Sequence, residues 1–204
     1  MLIDLATLDA TTIYHLMVQT VIPRPIAWVL SENGNQSYNL APFSYFNAIS
    51  SSPPTLMISV GHKKSGEKKD TWLNIEERKH FNVHIVSRAQ LETMVETAAP
   101  YEHGISEVEQ LEIETVEEEG FQLPRLKQAK VALACELYQL HEIGTGPQAL
   151  IIGEIKQLYI EDSVVQLENS RYTIDANEID PMARLGGNEY VYFGGIEKVI
   201  RPKK

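Results

Sequence analysis

Lys63-Lys64-Ser65-Gly66-Glu67-Lys68-Lys69 places four lysines within seven residues of a chain whose formal charge is -10. This local reversal of sign leads straight into Asp70-Thr71, which open a helical pattern over Lys69 to Arg78. Upstream, Ser37-Tyr38-Asn39-Leu40-Ala41-Pro42-Phe43-Ser44-Tyr45-Phe46-Asn47 runs into the hydroxyl cluster Ser50-Ser51-Ser52 and then Pro53-Pro54. Hydroxyls, a lysine and a helix N-terminus suit one phosphate monoester, since all three present donors or positive charge to an anion. Phe43, Tyr45, Phe46 and Trp72 beside them could cover a flat heteroaromatic ring. The same residues also read as a Ser-rich turn next to a solvated lysine loop, and composition alone leaves both readings open.

Other chemistries lack their residues. No G-x-G-x-x-G follows a strand and no G-x-x-x-x-G-K-[ST] is present, so neither common phosphate cradle is signalled. Gly144-Thr145-Gly146 precedes Pro147 and a strand, which makes it a hairpin loop. The six histidines show no H-E-x-x-H or comparable ligand spacing, and no metal site is expected. His80 and His84 share one face of a strand-like run without a third ligand. The one cysteine, Cys135, sits among Leu133 and Ala134 and is expected to be a buried, inert thiol; alone it excludes a disulfide framework. No side-chain nucleophile or general base stands out, so no catalytic side chain is assigned.

The elements that position these residues are mostly short strands. Ile26 to Ser31 is apolar, and Asn33-Gly34 predicts a type I′ hairpin with Gln36 to Ala41 returning. Thr55 to Val60, Phe81 to Val86, Val131 to His141 and Ala149 to Ile160 are further predicted strands. Helices are predicted over Thr11 to Gln19, Lys69 to Arg78 with Asp70 or Thr71 as cap, and Ala89 to Ala98. Glu107 to Gly120 is strongly acidic and reads as a solvated excursion. Six or so strands with peripheral helices imply a mainly β barrel or sandwich in one domain, residues 1–204.

Composition narrows the partners. At 204 residues, 43% hydrophobic and 23% charged, the chain is an ordinary globular one. Its acidic balance disfavours nucleic acid and anionic membrane surfaces. The N-terminus shows no basic start followed by an apolar stretch, and Asn35-Gln36-Ser37 reads as a chance sequon, so a cytoplasmic protein is expected.

These stretches resemble the flavin-reductase-like family, flavoproteins built on an FMN-binding split barrel. The matching words are RPIAWV at 24–29, NLAPFSYFN at 39–47, SSPP at 51–54 and KDTWLNI at 69–75. AAPY at 98–101 followed by Ser106-Glu107, and DPMARLGGNEY at 180–190, continue the match in order over nearly the whole chain. Within the family the chain is similar to reductase components of two-component monooxygenases. The resemblance implies a Greek-key split β-barrel, usually a homodimer, with FMN near the subunit interface and NADH or NADPH as transient co-substrate. Carried over by position, it implies that Asn39, Leu40, Ala41, Pro42 and Phe43 present main chain to the ring. Ser50, Ser52, Lys69 and Thr71 would hold the phosphate, with Asp70 capping the helix and Asn74 fixing the loop. Arg24 and Arg184 would reach the flavin, although an Arg before Pro also reads as a structural tether. The implied activity is hydride transfer from a nicotinamide to flavin N5, with electrons passed to free flavin, a monooxygenase partner, iron or oxygen. The rival readings are an FMN-binding electron carrier or sensor, and a split barrel that has lost flavin. Where relatives commonly carry Asn, this chain has His84, expected to point outward rather than at the flavin.

Overall fold

The computed structural model describes residues 1–146, 148–200 and 202. Pro147 of the expected hairpin loop lies outside them. After a 3-10 turn at Leu5–Thr7 comes helix α1 (Ala10–Thr20), capped by Asp9, whose carboxylate accepts from Thr11 N and Thr12 N. It leads to the short β1 (Arg24–Pro25), β2 (Ala27–Glu32), β3 (Tyr38–Phe43), β4 (Phe46–Ser51) and β5 (Pro54–Val60). Helix α2 (Asp70–Arg78) and β6 (His80–Ile85) follow, then α3 (Leu91–Glu96) and α4 (Glu107–Gln110). A small pair, β7 (Thr115–Val116) and β8 (Arg125–Leu126), precedes the long hairpin of β9 (Val131–Ile143) and β10 (Gln148–Ile160). The hairpin β11 (Val165–Glu168) and β12 (Arg171–Ile174), helix α5 (Ala176–Ile179), β13 (Met182–Arg184) and β14 (Tyr190–Tyr192) complete the order.

Seven strands form one antiparallel sheet in the order β3-β2-β6-β9-β10-β5-β4. The mainly β barrel architecture expected from the strand count is therefore present, with helices on its periphery. Strand β2 is buried on both faces, and period-2 alternation divides it between two cores. Ala27 and Val29 join Leu56, Ile58, Phe81 and Ile151 in the barrel interior. Trp28 and Leu30 point the other way, into a second core with Leu40, Met94, Val108 and Leu126. Helix α2 closes the barrel interior with Trp72 and Ile75, three residues apart on one face. At Gly153 β10 carries no side chain, because a Cβ would stand 2.5 Å from Phe81 Cζ; the β9–β10 register shifts there.

Three expectations need correction. The β2–β3 connection is not a two-residue type I′ turn. Asn33 N donates to Ser37 O, and the positive φ falls at Gln36 (66°) instead of at Asn33-Gly34. Asn35 Oδ1 accepts from Ser37 N, so side-chain bonding lengthens the loop. Asp70 is not the cap of α2; Lys69 takes that position and makes no side-chain cap bond. The acidic stretch is not wholly solvated, since Glu107 and Val108 are buried in α4 and Thr115–Val116 pairs with Arg125–Leu126. No helix among the described residues is long and apolar enough to cross a membrane.

Candidate functional site

A cleft of about 420 Å³ opens between edge strand β3, the N-terminal end of α2 with its lysine loop, and residues 97–101 after α3. That volume is in the range of small-molecule sites. Strand β3 brings Asn39, Ala41, Pro42 and Phe43 to it; α2 and its approach bring Lys69, Asp70 and Thr71. These seven are the expected site residues that the fold gathers in one place.

The local chemistry follows from the sheet edge. Leu40 N donates to Glu107 Oε2 at 2.8 Å, so this amide points away from β2. Pro42, two residues on, has the same orientation, and its missing N–H costs no ladder bond on an edge strand. Leu40 buries its side chain in the second core and spends its amide on Glu107, so it does not line the cleft.

A buried polar network fastens α2 to β2 and β3. Asn39 Nδ2 donates to Thr71 Oγ1 at 2.9 Å. Asn74 Nδ2 donates to Ser31 Oγ (3.1 Å) and to Asn33 Oδ1 (2.9 Å). Asn74 thus fixes a loop, the β2–β3 connection, and stays inside the protein. Because Thr71 Oγ1 already accepts from Asn39, its hydroxyl hydrogen is free to donate to an anion. The first N–H groups of α2 lack intrahelical partners as well.

Charge at this end is uneven. Asp70 Oδ1 accepts from Lys63 Nζ at 2.9 Å and lies 2.6 Å from His103 Nδ1. Lys69 forms no ion pair among the described residues, its ammonium lies 5.8 Å from the centre of the Phe43 ring, and burial lowers its pKa. Glu107, on the cleft wall, is pushed up to about 7 by burial, against the opposing bond from Leu40 N; Asp70 raises it further and Lys63 lowers it.

The remaining expected residues lie elsewhere. Ser50, on the outer edge strand β4, and Ser52, in the turn that follows it, are exposed, and Ser52 N donates to Ser50 Oγ. Arg24 is the tether: its guanidinium donates to Val18 O, Val21 O, Leu185 O and Ser44 Oγ. Arg184 borders a neighbouring pocket that shares Pro42, Phe43 and Ala98 with the cleft. Of the aromatic segment, only Phe43 reaches the cleft; Trp72 is wholly buried, and Tyr45 and Phe46 line a separate groove beside α1. His84 faces neither the cleft nor solvent. Leu126 N donates to its Nε2 at 3.1 Å, which leaves Nδ1–H to donate to Trp28 O at 3.1 Å. Among the described residues no cluster of His, Cys, Asp or Glu could hold a metal. Cys135 is buried, and burial raises its thiol pKa.

Glu107 and His103 were not among the expected site residues. The Ser106-x-x-Glu109 spacing would have signalled a helix start, with Glu107 in its first turn, and Ser106 Oγ does accept from Glu109 N. No sequence signal placed His103 against Asp70.

Residues 18–175 match the flavin reductase like domain. The chain is 35% identical to the uncharacterized protein YwrF of Bacillus subtilis, over 96% of each sequence. The chain belongs to the flavin-reductase-like family. Among solved structures, nitrilotriacetate monooxygenase component B from Bacillus cereus superposes with a TM-score of 0.90 at 30% identity, covering 98% of both chains. The Pseudomonas fluorescens 2-nitrobenzoate 2-nitroreductase NbaA gives 0.88 at 30% identity, covering 99% of this chain and 96% of that one. The barrel described above is accordingly the split barrel of flavin reductases, and the chain is a flavoprotein-type oxidoreductase of that family.

Proposed function

We propose that the cleft binds FMN and that the protein is an NAD(P)H:flavin oxidoreductase. The observation that carries this reading is the pairing, in one cleft, of an edge strand with an anion-ready end. Lys69 and the hydroxyl of Thr71 would hold the phosphate, together with the free amides at the start of α2. Asn39, Ala41, Pro42 and Phe43 would lie along the ring. FMN supplies, when bound, acceptance of hydride from a nicotinamide and onward delivery of electrons. The chain contributes orientation and a desolvated wall, which needs no nucleophile of its own.

Likeness to a monooxygenase component supports a role in supplying reduced flavin to a partner enzyme. A homodimer in the cytoplasm, in which Ser50, Ser52 or their surroundings complete the flavin site from a second copy, fits this reading too.

The test is spectroscopic. FMN added to purified protein should give a stoichiometric complex, and rapid mixing with NADH or NADPH should bleach it on a catalytic timescale. Absent or slow bleaching of a formed complex would leave only an electron carrier. Failure to take up FMN would end the reading.

A further inference from the structure

The segment that joins α3 to α4 forms one wall of the cleft, through Thr97, Ala98, Ala99, Pro100 and Tyr101. Both ends of this segment are built into the protein. Thr97 is buried; its hydroxyl donates to Met94 O at 2.7 Å and accepts from Trp28 Nε1 at 2.9 Å. Ser106 is buried as well and donates to Tyr38 O at 2.7 Å, and Glu107 beside it holds the Leu40 amide.

Between these ends the chain is held at one place. None of the side chains from Ala98 to Ile105 is buried. The backbone bonds of this stretch are local: Ala98 N to Val95 O, Ala99 N to Glu96 O, Tyr101 N to Ala99 O and Ile105 N to Glu102 O. Among the described residues only two bonds carry it across to the rest of the protein, and they fall on adjacent residues. His103 Nδ1 donates to Asp70 Oδ1 at 2.6 Å, and Asn35 Nδ2 donates to Gly104 O at 3.2 Å. The first reaches the opening residue of α2, whose carboxylate is 11% exposed and also accepts from Lys63 Nζ at 2.9 Å. His103 itself does not line the cleft. A stretch with fixed ends, little buried surface and a single point of closure opens at low cost.

We propose that Ala98 to Ile105 form a strap over the cleft, clasped by His103 on Asp70, and that this clasp governs how fast flavin enters and leaves. His103 is a positioning residue: it acts through the wall it holds in place. The clasp joins two sides of the cleft, the α2 end with Lys69 and Thr71 and the wall that ends at Tyr101, so its release widens the opening between them. The gating of flavin rests on the proposed function, whereas the clasp does not.

The experiment has two arms. Hydrogen exchange read by mass spectrometry on the full chain, without added flavin, should be about threefold or more faster at residues 98–105 in His103→Ala than in the wild type, the scale of a part-exposed ion pair. His103→Gln, whose amide can still donate to Asp70, should fall between the two, and exchange in β9 and β10 should not change. The side chain of His103 is 67% exposed, so its replacement leaves the core intact. Stopped-flow mixing with FMN is the second arm. A gate slows entry and exit alike, so His103→Ala should raise the association and dissociation rate constants together, each by about threefold, with Kd nearly unchanged. Unchanged exchange at 98–105 in His103→Ala, or a rise in the dissociation rate alone, would overturn the proposal. No uptake of FMN by wild type or variants, with exchange still responding to His103→Ala, would sink the flavin reading and the gating of flavin with it, while the clasp stood.

Discussion

Glu107 joins two requirements that conflict. Its carboxylate holds the Leu40 amide of the edge strand, yet burial disfavours the charge that makes that bond strong. With its pKa raised from 4.5 to about 7, the folded chain keeps a proton that the unfolded chain releases. The resulting stability is complete below pH 4.5 and is lost as pH rises through 7. Glu107→Gln should remove that slope, so wild-type Tm should fall relative to the variant across this window; parallel profiles would refute it. Lys69 and Thr71 are the residues proposed for the ligand side. Lys69→Ala combined with Thr71→Ala should weaken FMN binding by about tenfold or more, from two lost charge-assisted or hydroxyl bonds. Undiminished affinity by calorimetry would remove the cationic end from the site. At this scale type and spacing singled out the lysine-rich loop, the start of α2 and residues 37–47, while Lys69, Thr71 and Asn39 to Phe43 were named individually through the family resemblance. The sequence could not mark Glu107 as buried, because a run of acids reads as a solvated face until a neighbouring amide is seen to point at one of them.

Strand β3 and helix α2 are the elements that make the cleft, and a polar network holds them together. Removing Asn74 leaves Ser31 and Asn33 without their shared donor. Asn74→Ala should therefore cost about 1–3 kcal/mol in chemical denaturation. It should also loosen FMN binding, although Asn74 does not line the cleft. Gly153 imposes a steric limit instead of a polar one. Gly153→Ala should cost about 1–3 kcal/mol by driving a methyl group into Phe81, and a variant as stable as the wild type would show that the β9–β10 hairpin yields there. Element existence was legible from alternation and caps: the predicted strands and the helices α1 and α2 are all present. The turn type between β2 and β3 was not. Asn-Gly favours positive φ, but the side chains of Asn33 and Asn35 bond to Ser37 and shift the bend to Gln36.

Across the whole molecule, His84 ties three segments, accepting from β8 and donating to β2 from its place in β6. Burial holds its pKa down to about 4 from 6.5. Protonation would set an N–H against the Leu126 amide, so the stability it confers is present above 6.5 and lost as pH falls through 4. An NMR titration should find this ring neutral at pH 5.5; a ring already protonated there would refute its structural role. What the sequence by itself determined was the β-rich class, the family words and the residue types able to meet a phosphate, since these depend on local period, turn chemistry and charge. Only the tertiary structure decided which of those residues share a cleft. It sent Arg24 to carbonyl oxygens, Trp72 to the core and Ser50 and Ser52 to the outer edge, because strand order and register, which no single stretch encodes, set who faces whom.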